Sequence, residues 1–147
     1  MIKESREKNR LLIADDSKMN RKILKEILGD EYIVTEAKDG TEAIELLKKE
    51  EDSFSALLLD LNMPETNGYQ VLEWMNEEYV IERIPVIVIL AEDNHENIEK
   101  AYELGAMDYF TYPFDMFEIQ KRVAGTLNLY KKYENLIMAS KQVIYVC

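Results

Sequence analysis

The stretch Ala56-Leu57-Leu58-Leu59-Asp60-Leu61-Asn62-Met63-Pro64 limits what this chain can fold into more than any other. An apolar run so short, closed by a carboxylate and then a proline, reads as a strand buried on both faces. Asp60 then stands at the carboxyl end of that strand, where an open parallel sheet binds its ligands. Pro64 stops the strand, and Asn67-Gly68 turns the chain into a helix.

The rest of the chain repeats this rhythm. Arg10 to Ala14 is a short strand ending in Asp15-Asp16, and Ser17 caps a helix whose stripe is Ile23, Leu24, Ile27 and Leu28. Gly29 closes that helix, and Tyr32 to Thr35 forms a β-branched second strand. A helix from Thr41 buries Ala43, Ile44, Leu46 and Leu47; another, from Gly68 to Glu77, carries Val71, Leu72 and Met75. Pro85 to Leu90 is a fourth strand with no polar interruption. A helix from Asn94 or His95 ends at Gly105, Ala106 to Tyr112 is a fifth strand stopped by Pro113, and a last helix starts at Asp115. Strands alternating with helices at these lengths imply right-handed βαβ units, and so an α/β fold with helices on both faces of a parallel sheet.

The helical pattern does not stop where one domain would. Ile119, Val123, Thr126, Tyr130, Tyr133, Ile137, Ser140 and Ile144 step by alternating fours and threes, a coiled-coil spacing. The expected organisation is an N-terminal tail over residues 1–9, a domain over 10–129 and a helical extension or linker over 130–147. The extension either leads to an output domain beyond Cys147 or pairs with a second copy in a parallel homodimer.

Charge and cysteine content remove several function classes. A net charge of −11 argues against direct nucleic-acid binding, which needs clustered Lys and Arg against phosphates. The apolar runs are too short to span a bilayer, and Met1 to Arg10 is too charged for a secretion signal. One cysteine, Cys147, supplies neither a disulfide framework nor a thiolate zinc site, so the expected setting is the cytoplasm.

Asp15-Asp16, Asp60 followed by Asn62-Met63-Pro64, Gly68, Pro85, Ala91 and Pro113-Phe114 together resemble the receiver domain of two-component response regulators over about Arg10 to Leu129. The resemblance implies a doubly wound, CheY-like (flavodoxin-like) sheet of five parallel strands in the order 2-1-3-4-5. In that order the strands ending in Asp15-Asp16 and Asp60 are neighbours, and their carboxylates would favour Mg²⁺, a hard cation that takes oxygen ligands. The resemblance makes Asp60 the phosphoacceptor toward a sensor histidine kinase or phosphotransfer protein. It gives the metal to Asp15, Asp16, Asp60 and the backbone carbonyl of Asn62, with Ala91 next to the phosphate.

Two positions depart from the family pattern. The Thr or Ser that normally ends the fourth strand is Leu90, and the Lys that normally ends the fifth is Tyr112. Tyr112 can donate a neutral hydrogen bond, worth about 1 kcal/mol where a charge-assisted contact is worth about 1.5–3 kcal/mol. Thr111 cannot substitute, because its side chain points to the opposite face of the strand. Tyr109 stands at the family's switch aromatic, with plain packing as its other reading. Lys18 and His95 read as surface residues, and Trp74 with Met75 as core and rim of an amphipathic helix.

The leading expectation is therefore a signalling domain, not an enzyme, that takes a phosphoryl group on Asp60. The alternative is a degenerate receiver that signals through phosphorylation-independent contacts. A Mg²⁺-dependent phosphohydrolase with an aspartate nucleophile is less favoured, because Asn62, two residues beyond Asp60, cannot act as acid or base. A flavin carrier is disfavoured by the absence of a Ser, Thr and Gly-rich loop after the first strand.

Overall fold

A computed structural model describes residues 9–91 and 94–146, with side chains described as far as Ser140. Five strands, β1 (Arg10–Ala14), β2 (Ile33–Ala37), β3 (Ala56–Asp60), β4 (Val86–Leu90) and β5 (Asp108–Thr111), alternate with five helices. The helices are α1 (Lys18–Leu28), α2 (Gly40–Glu50), α3 (Gly68–Glu77), α4 (His95–Glu103) and α5 (Met116–Val146). All strand pairs are parallel, in the order β2-β1-β3-β4-β5, so the doubly wound expectation holds.

The inner strands are apolar because both of their faces are covered. Every residue of β3 and β4 is buried, and the helices divide the core into two clusters. Leu12, Leu57, Leu59, Val88 and Leu90 pack with Leu47, Leu72 and Met75 from α2 and α3. On the other side Ile13, Leu58, Ile89 and Phe110 pack with Leu24 and Leu28 of α1 and Ile119 and Val123 of α5.

Local signals mark the helix ends. The Ser17 hydroxyl accepts from the Asn20 N–H at 3.1 Å, and Asn67 forms a reciprocal capping box with Gln70. Gly68 has no room for a side chain: a Cβ there would lie 2.5 Å from the Asp60 carbonyl oxygen and 2.6 Å from Leu61 Cα. That close approach seats the start of α3 directly behind the end of β3.

Several boundaries and faces differ from the pattern reading. β2 runs on through Thr35 and Glu36 to Ala37, because an edge strand tolerates polar residues and Glu36 pairs with Arg21 at 2.8 Å. β5 is shorter than Ala106 to Tyr112. Ile23, assigned to the buried stripe of α1, is exposed.

α5 runs without a break through the expected boundary at 129. The first part of its four-three seam is spent inside the domain, since Ile119, Val123 and Thr126 are buried there, while Tyr133 and Ile137 lie at the surface. The side chains of Ile144 and Cys147, and the tail over residues 1–8, lie outside the described residues. Among the described residues no helix is long and apolar enough to cross a membrane.

Candidate functional site

β1 and β3 are hydrogen-bonded neighbours, and their carboxyl ends bring Asp15, Asp16 and Asp60 together. One oxygen from each carboxylate lies within 4.8 Å of the others. Asp15 is fully buried and Asp60 is 3% exposed, while Asp16 faces solvent. A cavity of about 400 Å³ opens on the cluster, lined by Asp16, Asn20, Asp60, Asn62, Ala91 and Tyr112.

Short-range hydrogen bonds hold the buried carboxylates. Asp15 Oδ1 accepts from the Ser17 N–H at 2.9 Å, and Oδ2 accepts from Asn20 Nδ2 at 3.4 Å and the Tyr112 hydroxyl at 3.3 Å. Asp60 Oδ1 accepts from the Asn62 N–H at 3.0 Å. Burial, then the charge of Asp15, pushes the Asp60 carboxyl up to about 8, although the Asn62 N–H opposes this. Burial raises Asp15 as well. The Tyr112 phenol is raised by burial and by the charges of Asp60 and Asp15, so it remains a protonated donor.

This donor set fits a hard divalent cation. It offers only oxygen ligands, two of the carboxylates are buried rather than solvated, and no basic side chain lines the cavity among the described residues. Arg21 is near, but its guanidinium donates to the Asp15 carbonyl oxygen at 2.7 Å and to Glu36 at 2.8 Å. Lys18 is exposed and does not line the cavity.

The family model for the response regulator receiver domain matches residues 11–124. The chain belongs to that family. The receiver is 36% identical over 120 residues to the transcriptional regulatory protein SrrA of Staphylococcus aureus, covering 81% of this chain and 48% of SrrA. It thus spans about half the length of the curated relatives it matches. In fold it resembles the Vibrio cholerae chemotaxis protein CheY4, with a TM-score of 0.75, 24% identity, and 82% of this chain and 99% of the other covered. It also resembles a putative two-component response regulator with a GGDEF domain, at a TM-score of 0.78 and 26% identity, over 84% of this chain and 51% of that one.

Leu90 and Tyr112 lie on opposite sides of the receiver's sheet. Leu90 is buried in the α2–α3 cluster and lines a neighbouring cavity with Asn62, Asn67, Tyr69, Ala91 and Asn97, not the acidic one. Tyr112 packs on the α1–α5 cluster and reaches the acids. Tyr109 lines neither cavity: its half-buried ring packs on the α2–α3 cluster, meets Tyr102 edge-on at 6.3 Å and lies 5.6 Å from the Arg122 guanidinium carbon.

Pattern reading missed Asn20 and Arg21, which hold Asp15 through its side chain and its carbonyl. Their spacing carried a faint signal. Polar residues in the first turn of a helix after a strand-end carboxylate face back over it.

Proposed function

We propose that this receiver accepts a phosphoryl group on Asp60 with the help of Mg²⁺ and passes the signal on through protein contacts. The observation that supports this best is the convergence of three carboxylate oxygens within 4.8 Å at the ends of β1 and β3, with Asp60 buried among them. A buried acid cluster is costly unless a proton or a cation offsets its charge, and such clusters concentrate at functional sites.

In this reading Asp15 and Asp16 hold the cation, joined by Asp60 and the Asn62 carbonyl. A cation so held would offset charge on the phosphoryl oxygens. An Asp60 carboxyl raised to about 8 must lose its proton before its oxygen can attack phosphorus. The new bond is Asp60 O–P, and the bond broken is that between phosphorus and the donor's leaving group. The donor in the cell is a phosphohistidine on a sensor kinase or phosphotransfer protein. Ala91, exposed at the cavity mouth, leaves space for the phosphoryl oxygens.

The protein has no turnover of its own in this reading, because Asn62 is no acid or base. In this reading the receiver acts on an output domain, as the greater length of its curated relatives suggests, and works in the cytoplasm.

Intact-protein mass tests the acceptor. Incubation with Mg²⁺ and acetyl phosphate should add one phosphate to wild type and none to Asp60→Ala. Absence of the adduct in wild type, with Mg²⁺ bound, would leave the degenerate-receiver reading, which Leu90 and Tyr112 favour.

The contact surface includes α5, which exposes Leu129, Tyr133, Leu136, Ile137 and Met138 beyond the body of the domain. Apolar positions spaced by fours and threes suit a parallel pairing with a second copy. Light scattering at high micromolar concentration should give a dimer for wild type and a monomer for Ile137→Glu; a monomeric wild type would refute the pairing.

A further inference from the structure

We propose that Tyr112 is a positioning residue that ties Asp15 to the α1–α5 side of the fold, so that cation uptake by the acid cluster is transmitted to the packing of α5. This rests on the cluster taking a divalent cation.

Asp15 Oδ1 is firmly held by the Ser17 N–H at 2.9 Å, whereas both donors to Oδ2, Tyr112 at 3.3 Å and Asn20 at 3.4 Å, are long. The bonds to Oδ2 are therefore the weaker ones, and the ones a cation on this carboxylate displaces. A hydrogen-bond donor and a cation compete for the same lone pairs, since both present positive charge. Once Asp15 serves a cation, the Tyr112 hydroxyl loses most of what holds it.

The half-buried Tyr112 ring packs against the margin of the α1–α5 cluster. It lies tilted against Phe114 at 4.9 Å, and Phe114 meets Phe110 edge-on at 5.7 Å. Phe110 is 1% exposed, in the cluster that holds Leu24 of α1 and Ile119 and Val123 of α5, with Leu127 packed at its margin. A close-packed interior passes on a ring displacement instead of absorbing it. On the opposite side of the sheet Leu90 is buried, and its side chain carries no hydrogen-bonding atom. The Tyr112 hydroxyl thus couples the pocket to the α5 side, while Ser17, Asn20 and Arg21 bond Asp15 directly from α1.

Methyl and amide NMR of the full chain, titrated with Mg²⁺ alone, tests this. In wild type the Ser17 and Asn62 amides should shift, and the Ile119, Val123 and Leu127 methyls should shift with the same midpoint. Tyr112→Phe keeps the ring and removes only the hydroxyl, so its pocket amides should still titrate while the methyl shifts are lost. Methyl shifts of wild-type size in Tyr112→Phe would overturn the coupling and leave the cation site standing. Pocket amides that ignore Mg²⁺ in wild type would overturn both.

Discussion

In EDTA, Asp60→Asn should melt well above wild type, and the gap should widen as pH rises from about 4 to about 8. The Asp60 carboxyl is raised from 3.8 to about 8 by burial and by Asp15. Between those values the folded protein keeps a proton that the unfolded chain has released. Stability linked to this group is therefore fully present at low pH and lost as pH rises through the folded pKa. Each tenfold gain in proton affinity on folding corresponds to about 1.36 kcal/mol, so the accumulated penalty is on the order of a few kcal/mol. For a domain of this size that is on the order of 10 °C in Tm.

Asn removes the charge but keeps an oxygen to accept from the Asn62 N–H, as Asp60 Oδ1 does now. Mg²⁺ should reverse the comparison, because only wild type gains from a bound cation. Calorimetry across this pH range, with EDTA and with Mg²⁺, checks the claim. Parallel melting curves for the two proteins at all pH values would show that Asp60 carries no such strain.

Phe110→Ala should cost about 3–5 kcal/mol, the usual range for removing a fully buried aromatic. Phe110 lies at the centre of the α1–α5 cluster, edge-on to Phe114 and in the same layer as Ile13, Leu58 and Ile89. The void would open between the sheet and α5, where backbone on both sides limits collapse. Urea unfolding should show a lower midpoint with an unchanged slope. A loss below about 1 kcal/mol would mean that α5 closes the gap by sliding, and that the cluster is looser than its burial implies.

The chain's local chemistry determined the strands, their order of appearance and the carboxylates at their ends. β3 and β4 are legible because strands buried on both faces must be apolar throughout. The starts of α1 and α3 are legible because Ser17 and Asn67 cap their own first turns. Asp15, Asp16 and Asp60 could be named as one cluster once the parallel order was assumed, since strand ends fix where their side chains meet.

Only the tertiary structure decided the partners of those groups. Tyr112 stands 97 residues from Asp15, and no local pattern could join them. The four-three seam of α5 continues past Thr126, but part of it is consumed by the domain's own core and part is left at the surface. Ile23 shows the same limit: apolar at a helical spacing, yet exposed. Periodicity reports which side of an element is apolar, while burial depends on what is packed against that side. That second fact belongs to contacts between elements distant in the chain, and those form only when the sheet is assembled.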